Sequence, residues 1–454
     1  MKPKLFRLFT LSLLLAVASP AVAQTNLDWK KYVPLIKQTL SKDYKKMFRE
    51  KGGSLQYPFI VPGSAAYNDV LWDWDSWLTD IALRQIVLEN GAEQDRADII
   101  PYERGCILNF LQYGKGNGWI PIMMKRGPIK KPQDIYRENM HKPVLAQHAA
   151  FLVKLNKGNA EWLREDFYSL QSFMHNYKGF HRNVATGLYF WQNDLAIGVD
   201  NDPSTFYRPA RSSGSIYLNC LMYKELKAMV YLANCLNEAE IGKEFERDAE
   251  QLKAAIREHC WDERDGFYYS VDFNLLPVTE QAEERGEFGT LLLHAGNPRD
   301  YHCLIQRFDV WSGFLAMWSG IATPEQAKRM VNEHFKNTNT FNAPYGIRSL
   351  SKLEKMYSVS ASGNPSSWRG PIWGISNYLV FRSLVDYGFD AEAKELAAKT
   401  IVLFGRDLER TGVLHENYLP DTGEPIANPG FQNWNYLVLN MIAWMEGRDS
   451  VREF

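Results

Sequence analysis

Two acid-bearing stretches, far apart in the chain, hold the residue types that acetal cleavage requires. The first reads Trp191-Gln192-Asn193-Asp194-Leu195-Ala196-Ile197-Gly198-Val199-Asp200-Asn201-Asp202-Pro203. The second reads Gly412-Val413-Leu414-His415-Glu416-Asn417-Tyr418-Leu419-Pro420-Asp421-Thr422-Gly423-Glu424. Breaking an acetal takes a proton for the leaving oxygen and a nucleophile for the anomeric carbon, and two facing carboxyl groups supply both. In the inverting form of this chemistry the second carboxylate activates a water, and the pair stands roughly 6.5–9.5 Å apart. Asp200 follows the apolar lead-in Ile197-Gly198-Val199, which would desolvate it and keep it protonated near neutral pH. Asp194 and Asp202 would add like charge. Glu416 lies between His415 and Asn417, polar company that would hold it ionised. Asp200 is thus the candidate general acid and Glu416 the candidate general base. The alternative for either is a helix or turn cap, the commonest job of a loop carboxylate.

Such residues need a frame that brings distant loops together. Apolar side chains recur at helical spacing in twelve segments, near 28–48, 74–90, 94–113, 141–155, 159–176, 212–236, 239–258, 308–319, 323–334, 371–387, 390–408 and 430–446. Leu218, Leu221, Met222, Leu226, Met229 and Leu232 are typical. Thr323 followed by Pro324 has the form of a capped helix start. Strand alternation is scarce; 266–273 and 187–192 are the candidates for hairpin strands. The connections alternate between short ones of a few residues and long irregular ones. In a run of antiparallel helices every second connection falls at the same end. The long loops, usually functional in a compact domain, therefore gather on one face. The pattern predicts an all-α toroid of six helical hairpins, an (α/α)6 barrel, formed by residues 24–454 as one catalytic domain. An open solenoid of helix pairs would need a sequence repeat of fixed period, and none is visible.

Composition excludes several classes. A formal charge of −1 offers no electrostatic footprint for nucleic acid. The five cysteines have no CxxC or CxxH spacing, so neither a zinc site nor a disulfide framework is indicated. No metal and no cofactor is expected. The acidic stretch 262–272 matches no EF-hand pattern. Lys2, Lys4 and Arg7, an apolar run over 8–18 and Ala21-Val22-Ala23 before Gln24 have the form of a secretory signal peptide over residues 1–23. Its removal takes the charge from −1 to −4. The expectation is a secreted or periplasmic protein without a membrane span. Fourteen tryptophans are many for one chain; an indole face suits the C–H face of a sugar ring, although most should belong to the core.

Several motifs resemble glycoside hydrolase family 63. Trp368-Arg369-Gly370-Pro371-Ile372-Trp373 with Asn377-Tyr378 is similar to its WRGPxW…NY signature. So are Trp311-Ser312-Gly313, 320–327, Pro344-Tyr345-Gly346 and Trp74-Asp75-Ser76-Trp77 in order and spacing. The resemblance covers roughly 65–445. It implies an inverting α-glycosidase on an (α/α)6 barrel, with members that process N-glycans, cleave small α-glucosides, or hydrolyse mannosylglycerate and glucosylglycerate. It also implies Asp200 as acid, Glu416 as base, and a role for Gln432, Trp434 and Asn435, which follow the base. The chain departs from the family where Gln192-Asn193-Asp194 replaces the usual ESG or ENS before the acid, which leaves the acceptor open. The compact size is closest to the mannosylglycerate and glucosylglycerate hydrolases.

The remaining motif residues have physical jobs on offer. Trp74, Trp191, Trp368 and Trp373 would stack on a sugar or else fill the core. Arg369 would donate two hydrogen bonds to sugar hydroxyls or form an ion pair. Asp75 would accept from hydroxyls of the terminal sugar or cap its helix. His141, in Asn139-Met140-His141-Lys142-Pro143, faces the pocket or is structural, and the Met123-Met124 pair belongs to core or lid. The partner implied is a small α-glycoside or oligosaccharide with a terminal glucosyl or mannosyl unit. Two competing readings keep the barrel: a sugar epimerase or lyase using His or Tyr bases, and a non-catalytic glycan-binding protein.

Overall fold

A computed structural model describes residues 27–91, 93–129, 134–275, 301–360 and 366–454. The expected signal peptide lies outside them. Twelve α-helices among the described residues match the twelve periodic segments one for one: α1 (Val33–Asp43), α2 (Asp73–Asn90), α3 (Glu93–Gly114), α4 (Leu145–Leu155), α5 (Phe167–Phe180), α6 (Ile216–Cys235), α7 (Ala239–His259), α8 (Leu315–Trp318), α9 (Pro324–Arg329), α10 (Gly374–Asp386), α11 (Asp390–Thr411) and α12 (Val438–Met445).

The even-numbered helices form a closed inner ring. Each packs on the next, α2 on α4, α4 on α6, α6 on α8, α8 on α10 and α10 on α12, and α12 returns to α2. The odd-numbered helices lie outside, α3 on α2 and α4, α7 on α6, α11 on α10 and α12. Burial follows the two layers. Helix α10 is buried almost all round, whereas α7 buries one stripe containing Phe245, Ala249, Leu252 and Ile256, as expected for a helix with one face in water. This is the (α/α)6 barrel.

Local signals hold where the chemistry is strong. Thr323 caps α9 through a full capping box with Gln326, and Pro324 occupies the first turn. Trp261–Asp262 pairs with Phe267–Tyr268, and Ser270–Asp272 joins a three-stranded sheet with Ser213–Gly214 and Leu304–Gln306. The 187–192 stretch makes only a bridge between Arg182 and Tyr189, because the backbone amide of Tyr189 is taken by the Asn219 side chain. All five cysteines are free. No helix among the described residues is long and apolar enough to cross a membrane.

Candidate active site

The long loops meet over one end of the ring and enclose a cavity of about 300 Å³, within the range of small-ligand sites. Among the described residues, five of the six long connections contribute to its lining. Tyr67 and Trp72 come from the α1–α2 loop, Lys142 from α3–α4, Leu195 to Asp200 from α5–α6, Ser366, Trp368 and Trp373 from α9–α10, and Glu416 and Trp434 from α11–α12; Trp74 and Asp75 open α2. Asp200 and Glu416 therefore share one cavity, as acetal hydrolysis by a carboxyl pair needs.

One short segment joins the two acids. At its start the Trp368 amide donates to the Asp200 carbonyl at 2.8 Å. At its end Ile372–Trp373 pairs antiparallel with Asn417–Tyr418, the strand that begins immediately after Glu416. The Trp-Arg-Gly-Pro-Ile-Trp motif is thus a strut between acid loop and base strand, at most about 18 Å from end to end. Its two tryptophans stack on each other at 4.2 Å and 7°, and Trp311 stacks behind Trp368 at 5.6 Å. Trp74 and Trp434 meet edge to face at 5.2 Å. The cavity wall is a packed set of indoles held by mutual contact. The indole N–H groups of Trp72 and Trp434 are buried and find no acceptor among the described residues.

The acid loop is shaped by Gly198. Its φ is +91°, and a Cβ there would stand 2.8 Å from the Trp74 ring and 2.6 Å from the Lys142 side chain. Only glycine lets the loop cross the indole this closely. Ile197 and Val199 are buried, as the apolar lead-in implies. Asp202 is occupied within its own turn, where its carboxylate accepts from the Ser204 amide at 2.7 Å.

The surroundings of Glu416 differ from the expectation. His415 and Asn417 do not solvate it: His415 turns to Asp407 at 2.9 Å, and Asn417 is buried in the strand. The Glu416 carboxylate instead accepts from Tyr67 Oη at 3.0 Å, from Ser366 Oγ at 3.3 Å and from Asn428 Nδ2. Burial pushes its pKa up, the three donors oppose that, and the Asp200 charge adds to it. The candidate base is therefore more basic than an ordinary glutamate, which improves proton abstraction near neutral pH. Tyr67→Phe removes a donor that favours the charged form. The acidic limb of the kcat/KM–pH profile then moves to higher pH, because activity needs Glu416 ionised and its pKa rises further. An unchanged limb would dissociate Tyr67 from the base.

Asp75 is buried and accepts from Asn433 Nδ2. Burial, then the neighbouring Asp73, push its carboxyl up to about 8. Near neutral pH it is largely protonated and able to donate as well as accept. No side chain caps α2, whose N-cap is Trp72; Asp73, its first residue, accepts from the Trp74 amide at 2.8 Å through Oδ1.

Three motif residues point elsewhere. Trp191 lies one layer behind the wall, against Tyr217, which in turn meets Trp74. Arg369 is not among the lining residues, whereas its neighbour Trp368 is. Gln432 turns toward α1, donating to the Asp43 carbonyl and to Tyr436 Oη at 3.2 and 2.7 Å. There it lines a separate cavity of about 350 Å³, where the Asp43 carboxylate is engaged by Lys46. His141 is structural: its ring packs against Phe110 and Phe173, and burial lowers its pKa to about 4. Its neighbour Lys142 is the residue that reaches the cavity. Tyr67, Ser366 and Asn428 had no periodic or motif signal; Lys142 stands at the start of the periodic segment 141–155, beside His141, without a role of its own. Among the described residues no group of three or more His, Cys, Asp or Glu side chains could hold a metal ion.

Comparison with known proteins accords with this geometry. Over 316 residues the chain is 24% identical to a probable mannosyl-oligosaccharide glucosidase of Schizosaccharomyces pombe, covering 66% of this chain and 34% of that protein. It is 25% identical over 215 residues to a probable trehalase of Eremothecium gossypii, covering 45% and 25%. The chain thus spans about a third or less of the length of these two relatives. The fold matches the mannosylglycerate hydrolase of Thermus thermophilus in complex with glucose, with a TM-score of 0.61, 21% identity and coverage of 92% and 99%. It also matches a neutral trehalase of Saccharomyces cerevisiae, with a TM-score of 0.59, 16% identity and coverage of 91% and 80%. The model of the mannosylglycerate hydrolase MGH1-like glycoside hydrolase domain matches residues 69–434, both acid loops included. The protein belongs to this family of glycoside hydrolase domains.

Proposed function

We propose that the chain is an exported, inverting, exo-acting α-glycosidase that releases a terminal glucosyl or mannosyl unit from a small α-glycoside or oligosaccharide. Asp200 protonates the leaving oxygen. Glu416, held by Tyr67, Ser366 and Asn428, takes a proton from a water that attacks the anomeric carbon from the opposite side. Asp75 and the tryptophans Trp74, Trp368, Trp373 and Trp434 bind the terminal sugar. The observation that carries this reading is the convergence of Asp200 and Glu416 on one aromatic-walled cavity. The named activities of the relatives, glucosidase, trehalase and mannosylglycerate hydrolase, support a terminal hexosyl substrate. The leader-like first 23 residues support export, and the closed helical ring supports a single catalytic unit.

A panel of kojibiose, nigerose, trehalose, glucosylglycerate and mannosylglycerate tests the substrate class. Release of a free hexose from at least one, lost in Asp200→Asn, is expected. No turnover on any α-linked substrate would instead favour a glycan-binding protein.

A further inference from the structure

The charges around the cavity bear on which aglycone it accepts, a question that rests on the glycosidase reading above. The matching family is named for mannosylglycerate, whose aglycone, glycerate, carries a carboxylate. A carboxylate entering a desolvated site needs a cation or a set of donors to replace its water, and is costly to bury without them. Among the described lining residues, Asp75, Asp200 and Glu416 carry carboxyl groups, and Lys142 is the single cation.

That cation is already committed. Lys142 Nζ donates to both oxygens of Asp73 at 3.0 and 3.1 Å, and the Lys142 backbone amide donates to Asp73 Oδ2 at 2.9 Å. The ammonium stands 5.0 Å from the Trp74 ring centroid, and the side chain is only 2% exposed. Asp73 and Lys142 therefore neutralise each other beneath the indole. The arginines of the acid loop are engaged away from the cavity: Arg208 pairs with Asp272, and Arg211 Nε donates to Gln192 Oε1 at 2.6 Å. The acid loop borders the cavity with Leu195, which is 69% exposed, and Ala196. Among the described residues, a leaving group near Asp200 therefore meets carboxyl oxygens, the Tyr67 and Ser366 hydroxyls that already donate to Glu416, and apolar surface.

We infer that the site selects neutral aglycones, a sugar or polyol hydroxyl, and discriminates against aglycones that carry a carboxylate. Leu195 and Ala196 offer contact to the C–H surface of such a neutral group, while Glu416, which must be ionised to act, repels an anion. Electrostatic repulsion of this kind weakens with added salt.

Two substrates that differ only in this feature decide the point: 2-O-α-glucosylglycerol and 2-O-α-glucosylglycerate, with the α-mannosyl pair alongside. The expected result is a kcat/KM at least about tenfold higher for the neutral member, since like-charge juxtaposition disfavours binding strongly, with the gap narrowing as salt is raised. Equal or faster cleavage of the glycerate member would overturn the inference and leave the glycosidase reading intact. Calorimetric binding of both compounds to Asp200→Asn separates the two claims. Tighter binding of the neutral member by that variant, with no turnover of either compound by the wild type, would uphold the charge preference and sink the hydrolase reading.

Discussion

Glu416→Gln lowers kcat by a factor of about 10² to 10⁴, the usual contribution of general base catalysis, on every substrate. Asp200→Asn does so only where the leaving group needs a proton. The split follows from the division of labour between the carboxyl groups. The base acts on water, so its loss is felt whatever departs. The acid acts on the leaving oxygen, so its loss is masked when the leaving group departs unaided, as fluoride does. With α-glucosyl fluoride, Asp200→Asn therefore keeps most of its activity, and Glu416→Gln loses as much as on a disaccharide. Both substitutions preserve size. In Glu416→Gln the new carbonyl oxygen can take the Oε2 position and accept from Ser366 and Asn428, while the new amide donates to the Tyr67 hydroxyl, so thermal unfolding should be little changed. Equal losses on both substrates in both variants would contradict the assignment of roles.

Lys142→Met destabilises the protein by about 3–5 kcal/mol, the cost of breaking a buried ion pair from one side. Asp73 and Lys142 are both essentially inaccessible. Without the ammonium, the Asp73 carboxylate keeps only the Trp74 and Lys142 backbone amides as donors, too little to compensate a charge that water cannot reach. The double variant Asp73→Asn/Lys142→Met should recover most of the loss, because no charge is then left unpaired. The midpoint of urea unfolding reads both. A single variant within about 1 kcal/mol of the wild type, the size of an exposed pair, would show that the pair does not act as a buried one. The same pair anchors the start of α2, so the single variant should also weaken substrate binding through Trp74 and Asp75.

The barrel is legible in the sequence because its signals are local. Helical periodicity marks α6 and α11 without reference to any other part of the chain, and the alternation of short and long connections places the loops on one face. The acids and most of the tryptophans follow, since each lies in a long loop or at a helix start. What is not legible is long-range and depends on side-chain direction. Tyr67 meets Glu416 across 349 positions, and nothing near Tyr67 announces that contact. Arg369, Gln432 and Trp191 lie in the right loops, but a motif fixes where a residue stands and not which way it points. The environment of Glu416 is hidden for the same reason. Its sequence neighbours turn away, and its partners come from three other stretches. Lys142 is overshadowed by His141, although the long flexible side chain is the one that reaches the cavity.

The most direct test of the central claim is the anomer released first. In the proposed mechanism Asp200 and Glu416 act across the cavity with water as the nucleophile, which inverts the anomeric centre. Proton NMR of an α-glucoside during early turnover, before mutarotation, should show the β-hemiacetal accumulating ahead of the α form. Appearance of the α-hemiacetal first would mean net retention, and would contradict Glu416 as a base acting on water.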